Sequence, residues 1–525
     1  MISSFGWKRL DSGVCRRTLL LSVVLLWTAM PAASQRRPFP EGRGKEIIES
    51  ACTLCHGVSA ITRYKLSWEE WKDLVETMIA FGAPLKDEQA EIVIDYLADN
   101  FGKATTAPAA SPAPGPSAPS AAGIKMVGPA EQVVLPPPDI GSLFAHLRNV
   151  EIVDWPAGRT PVAPPGFEVT LFADGFQNPR WLYALQNGDV LVAESARKAA
   201  STISGTRASA DRVAFLRDAD QDGHAEIHKI LLSDLNEPIG MAFLRDQLYV
   251  ANINALLAFP YKVGQTEITA KGKKIIDLPD GGIHNTRNVR VGPDGRKLYI
   301  TVGSATNFGE EEIDNLPPDR AAIWELNPDG SDKRVIATGI RSPLGIDWEP
   351  VTGALWTVSN TRGGLGEEVP VDFFTSIRDG GFYGWPFFYW GANEEPRLQQ
   401  KRPDLKEVVL TPDYSMGPHV SPLGLVFYTG SAFPEQYRGG AFITEHGSVL
   451  RSSNPAGYKV VYVQFENGRP VGDPQDFLTG FLASDEEFTG YGRPAGIVQM
   501  PDGSLLVADD AGNRVWKVKY TGSGQ

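Results

Sequence analysis

Cysteine is scarce in this chain: three among 525 residues, with Cys15 lying ahead of the first apolar run. Beyond that run only Cys52 and Cys55 remain, so disulfide stapling of the large remainder is excluded. A cationic excess is also missing. The formal charge of -13 at pH 7 argues against nucleic acid or an anionic membrane surface as partner. The apolar run Leu19–Trp27 is too short for a comfortable membrane span. Lys8, Arg9, Arg16 and Arg17 precede it and Ala32-Ala33-Ser34 follow it, so residues 1–34 read as a secretory signal and the expected location is the periplasm. Retention of the signal as an uncleaved anchor is the alternative.

What the chain has in quantity is Gly (54) and Pro (40), which favour many turns and short strands over a helical bundle. Its length calls for two or more domains. The two remaining cysteines sit in Cys52-Thr53-Leu54-Cys55-His56, the C-x-x-C-H attachment signal for c-type haem. Two thiols add across the haem vinyl groups, and the adjacent His56 then sits beneath the iron. A zinc site would need further ligands nearby, and a redox dithiol would need a βαβ surround; neither is present. Ser67-Trp68-Glu69-Glu70 is a capping box opening a helix. Trp68, Trp71, Leu74, Val75 and Met78 should form one apolar face on it. Met78, the one methionine between the haem motif and the end of this helical stretch, is the expected sixth iron ligand. A second helix is expected from an N-cap at Asp87 to Phe101. Residues 35–102 thus read as a small all-α cytochrome c domain. Residues 103–128 form an Ala/Pro/Ser-rich linker that cannot bury a core, and 129–165 a connecting segment.

From residue 166 to 525 a loose unit recurs six times. A polar residue, often followed by Pro, leads into a short apolar strand, a turn that is often Asp-Gly or Asn-Gly, and a second strand. The units begin at Pro179, Glu237, Thr286, Ser342, Ser421 and Arg493. Six such units are the signature of a β-propeller, so the fold class is mainly β, a six-bladed propeller behind the helical domain. The segment Phe167–Phe172 is expected to pair with Arg514–Tyr520 and close the ring. In a propeller, residues just before each first strand and just after each second strand converge at one channel mouth. These include His284, Ser304, Asn307, Asn360, Arg362, His419, Glu445, His446 and Asp509, with Arg180, Arg287, Arg341 and Arg493 at equivalent positions. Arginines around a pocket suit a ligand with several carboxylates or phosphates, and histidine is the side chain most ready to take a proton near neutral pH.

The propeller resembles the pyrroloquinoline-quinone (PQQ) sugar dehydrogenases, and most closely the L-sorbosone and pyranose dehydrogenase branch. The resemblance rests on Gly282-Ile-His284-Asn-Thr-Arg287 with VGPDGRKLYITVGS, on GGFYGWPF from Gly380, on Glu445-His446-Gly447-Ser448 with AGYKVV, and on Gly492-Arg493-Pro494. It implies a tricarboxylate quinone over the channel, held by arginines and Ca²⁺, with His284 as general base on a sugar hydroxyl. Asn307 matches the family's asparagine beside the cofactor and Arg493 one of its quinone-binding arginines. Arg180, Arg287, Arg341 and His446 complete the expected set. The segment Asn360–Glu368 occupies the place of the calcium loop. Two departures stand out. A quinone-contacting lysine has no match near His446, and Val449 replaces the usual Trp after His-Gly-Ser.

A second metal candidate is Asp218-Ala-Asp220-Gln-Asp222-Gly223 with Glu226, the first half of an EF-hand loop, although Lys229 stands where the bidentate Glu belongs. A plain acidic turn is the equal alternative. The leading expectation is a quinohaemoprotein with haem c, PQQ and Ca²⁺. It would oxidise a sugar and deliver electrons to an external acceptor, the quinone pool or another cytochrome. The rivals are a Ca-dependent six-bladed lactonase or hydrolase, which would leave the cytochrome idle, and a non-catalytic ligand-binding propeller coupled to a cytochrome.

Overall fold

The computed structural model describes residues 39–52, 87–102, 124–139, 148–196, 210–280, 287–307, 319–396 and 401–522, with positions 61, 65–68, 71–72, 74–75, 78, 85, 146, 284 and 398 between them. Six sheets make up most of it, antiparallel except for a parallel edge pairing of Ala337–Thr338 with Gly381–Phe382 in the third. Their innermost strands are Pro179–Ala184, Met241–Leu244, Val289–Val291, Pro343–Trp348, Pro422–Phe427 and Pro494–Gln499. Each contacts the next, and the sixth contacts the first, so the sheets form a closed six-bladed ring. All six starts expected from the repeat are present.

The second strand of each blade lies between neighbouring sheets and is buried on both faces, as in Val190–Glu194 and Leu505–Asp509. That is why these segments read as unbroken apolar runs without alternation. The turns before them depend on glycine in the left-handed region, at Gly188 (φ 90) and Gly503 (φ 83), where a side chain would be strained. Blade six is composite: Phe167–Ala173 pairs antiparallel with Arg514–Tyr520, from Phe167↔Tyr520 to Ala173↔Val515. Aromatic packing reinforces the seam, with Phe167 edge-on to Phe433 (4.8 Å between centroids) and to Phe477 (5.1 Å).

The connecting segment is more than a connection. Gly128–Pro129 adds an edge strand to blade four against Tyr414 and Ser415. Glu151–Ile152 pairs with Thr489–Gly490. Trp155 is 5% exposed, packs edge-on against Trp516 at 5.0 Å between ring centroids and donates its indole N–H to Asp509 Oδ2 at 2.8 Å. Structurally, residues 124–139 and 148–165 are fastened to the propeller as a belt.

The described N-terminal residues are helical apart from short links. The chain runs through Lys45–Ile47 and a π-turn Ile48–Cys52, then helical positions between 68 and 78, then the helix Asp87–Phe101. Asp87 is the first helical residue and not the cap before it. Phe39, Ile48, Trp71, Val75, Val93, Ile94, Leu97 and Phe101 form its core. Trp68 departs from the expected apolar face. It is 41% exposed, and its indole N–H reaches Asp95 at 2.8 Å, so the polar edge of the ring turns it to the rim. Cys52 packs against this core half-buried and Met78 is helical and half-buried; Cys55 and His56 lie outside the described residues.

Candidate active site at the channel mouth

Strand ends from five blades meet in one hydrogen-bonded circuit. His284 Nδ1 lies 2.8 Å from Ser304 Oγ, and the Ser304 N–H donates to the Arg341 carbonyl at 2.8 Å. Arg341 Nη1 donates to the carbonyls of Asn360 (3.2 Å) and Thr361 (2.7 Å), and Nη2 to Asn307 Oδ1 at 2.5 Å. Asn360 Nδ2 donates to Ser421 Oγ at 3.0 Å, and the Ser421 carbonyl accepts the His446 N–H at 2.9 Å. His446 Nε2 then sits 2.9 Å from Asp510 Oδ1 and 3.0 Å from Arg180 Nη1. Arg493 closes the path by donating to the carbonyls of His446 (2.9 Å) and Gly447 (2.6 Å). Residues from 284 to 510 thus share one face of the ring, at the ends of the first and second strands.

A family model described as Glucose / Sorbosone dehydrogenase matches residues 176–514. The chain belongs to that family. Every propeller candidate from Arg180 to Arg493 lies within the matched stretch of this glucose/sorbosone dehydrogenase family member. An uncharacterized protein of Borreliella burgdorferi is 27% identical over 372 residues, covering 68% of this chain and 90% of that protein. The calcium structure of a carbohydrate-active enzyme of family AA12 from Trichoderma reesei superposes with a TM-score of 0.59 at 21% identity, over 71% of this chain and 99% of that one. The holo form of the PQQ domain of a pyranose dehydrogenase from Coprinopsis cinerea does so with a TM-score of 0.57 at 20% identity, over 70% and 100%. At these identities the two structures establish the shared fold.

The arginines of this dehydrogenase-family site behave differently from their sequence reading. Arg287 is fully buried: its guanidinium donates to the carbonyls of His284 and Pro279 and ties those two positions together. Burial, with Arg320 nearby, lowers its pKa to about 9. Arg341 is 7% exposed and held by carbonyls and Asn307. Both departures have one cause: a long fork that finds unpaired backbone carbonyls within reach folds back onto them. Arg180 is ion-paired to Asp510. Sequence reasoning passed over Asp510, although two consecutive acids at a strand end place one on each side of the pleat. Burial, then the guanidiniums of Arg493 and Arg180, push His446 down to about 3, so it is neutral at physiological pH. Against the upward push of burial, the Arg180 and Arg493 guanidiniums and the hydrogen bond with His446 hold Asp510 ionised.

The segment Asn360–Glu368 is a poor fit for Ca²⁺. The carbonyls of Asn360 and Thr361 face the Arg341 cation, and that of Gly363 faces Arg362 Nε. Those of Leu365, Gly366 and Glu367 accept from the Asp139 N–H, His419 and Arg451. A dication beside the Arg341 fork would meet like charge. The expectation of a calcium loop here therefore fails on its donor set. A polyanion is a better match. Arg287, Arg341 and Arg493 bond carbonyls, which leave their charge in place, while burial raises the Glu445 carboxyl to about 8 and so keeps it neutral near pH 7.

Proposed function

We propose that this protein is a periplasmic quinohaemoprotein sugar dehydrogenase, oxidising a sugar hydroxyl or aldehyde hydrate with PQQ and passing the electrons through haem c to an external acceptor. The observation that carries the reading is the circuit from His284 to Arg180 and Arg493, inside the family-matched stretch. Family membership, the PQQ domain among the structures of like fold, and the C-x-x-C-H motif support it.

Ser304 has a single hydroxyl proton, and it donates this to the Thr306 carbonyl at 2.8 Å. Its oxygen is therefore an acceptor toward His284 Nδ1, which must carry the ring proton. That tautomer leaves the lone pair on Nε2, the nitrogen that takes the proton from the substrate hydroxyl. Bound PQQ supplies a hydride acceptor that returns the electrons one at a time. Arg493 and Arg180, half-buried at the mouth, are the guanidiniums that would face its carboxylates, with Arg341, Asn307 and Arg287 keeping the floor rigid and positive. Haem c would be held by Cys52, Cys55 and His56, with Met78 as sixth ligand raising its potential.

The test uses the purified full chain. Adding PQQ and then sugar should reduce the protein's own haem, read from its absorption spectrum. Haem reduction by sugar without PQQ, or none with it, overturns the proposal.

A further inference from the structure

The motif Asp218–Gly223 forms the turn between the third and fourth strands of blade one, Arg212–Arg217 and Ile227–Leu232. Strands alternate in direction, so this turn lies on the face away from the channel mouth. Asp218, Asp220, Asp222 and Glu226 each offer a carboxylate oxygen, all within 4.8 Å of one another. Lys517 is the cation at their edge: its Nζ lies 3.5 Å from Asp218 Oδ2 and 3.4 Å from Asp502. One ammonium against four carboxylates leaves a strong negative excess.

Asp218 points independently to a ligand. Its side chain is one-tenth exposed. Oδ2 accepts the Gly223 N–H at 3.0 Å, whereas Oδ1 is buried and has no hydrogen-bond partner. A carboxylate oxygen withdrawn from water without a donor is costly to keep. Asp220 and Asp222 cap the N–H groups of Asp222 and His224, and Glu226 the N–H of Ala219, so the loop is already wound as a ligating turn. Gly223 takes φ 99 at the sixth position, where such loops bend sharply.

We propose that this turn binds one Ca²⁺ through Asp218 Oδ1, Asp220, Asp222 and Glu226, and that the ion clasps blade one to the ring-closing blade. An all-oxygen donor set excludes zinc's preferred nitrogen and sulfur ligands. Carboxylate oxygens that all lie within 4.8 Å of one another fit around one ion at the calcium–oxygen distance of about 2.3–2.6 Å, and four hard oxygen donors on one loop suit calcium, since magnesium keeps several waters and takes one or two carboxylates. Lys229, at the EF-hand's twelfth position, is an exposed strand residue opposite Phe215, because the loop leaves into a strand and not a helix. Glu226 supplies the fourth carboxylate instead. The clasp follows from the neighbours. Lys517 belongs to the last strand and Asp502 to the turn between the first two strands of the same blade, Pro494–Gln499 and Leu505–Asp509, and the Ala225 N–H donates to the Phe172 carbonyl at 2.8 Å.

Calcium titration of the full chain without PQQ, by calorimetry and thermal melting, tests this. The wild type should take up one more Ca²⁺ than Asp220→Asn/Asp222→Asn, with a dissociation constant of roughly 1 mM or tighter, the range of extracellular calcium modules. The calcium-dependent rise in melting temperature should shrink in the variant. Glu226→Gln, which keeps an acceptor for Ala219 and so preserves the fold, should weaken the same binding event at least tenfold. Equal stoichiometry and equal rises in all three proteins overturn the proposal, as does binding that needs far more than millimolar calcium.

Discussion

Removing the Ser304 hydroxyl frees the His284 ring to take either tautomer. Ser304→Ala should lower kcat for sugar oxidation roughly 10- to 100-fold, with KM little changed and the pH–rate profile displaced. Ser304→Thr, which restores the hydroxyl, should recover most of it; steady-state kinetics across pH check both. His284→Ala should abolish sugar oxidation and leave the absorption spectrum of any bound haem unchanged. Glu445 makes a stability prediction. Its buried Oε2 has no hydrogen-bond partner, and burial holds the carboxyl neutral up to about pH 8, whereas the unfolded chain ionises near 4.5. Between those values the unfolded state has released a proton that the folded state keeps, so stability falls as pH rises across the window and levels above it. Glu445→Gln should lack that fall, by on the order of a few kcal/mol, in denaturant melts at pH 6 and pH 9. At this scale the sequence revealed residue types and approximate location but not direction. Arg341 folds onto Asn307, Asn360 and Thr361 because loops of neighbouring blades bring those carbonyls to it, which no local pattern encodes.

The elements were far more legible, because each blade repeats the same local instruction. A short first strand, led by proline in four blades of six, a turn that is often glycine-bearing such as Gln186-Asn187-Gly188, and a buried apolar run recur at one phase, and a first strand follows within four residues of each expected start. The belt was not legible. Short paired pieces such as Gly128–Pro129 carry no periodicity, and Trp155 reads as an isolated aromatic until its partners Asp509 and Trp516, from the far end of the chain, are brought beside it. Trp155→Ala should cost roughly 3–5 kcal/mol, through the cavity it leaves and the donor that Asp509 loses, measured as a drop in unfolding free energy.

The molecule as a whole joins an N-terminal segment bearing a C-x-x-C-H sequence to a propeller with a polar circuit at its mouth, and the proposed activity needs both. Cys52→Ser should prevent full covalent haem attachment while sugar-dependent reduction of an added dye continues at the propeller; pyridine haemochrome spectra and dye assays separate the two. Loss of both signals together would show that the two parts depend on each other for folding.

Ring closure has a consequence for how the protein is made. Thr521 bonds the carbonyl of Gly166, 355 positions away, and the strand between Arg514 and Tyr520 completes a sheet begun at Phe167. Until that last strand has been synthesised, blade six is two strands with an open flank, and the circle has a gap. Synthesis from the N-terminus therefore yields a growing chain whose ring stays unfinished until its final residues emerge.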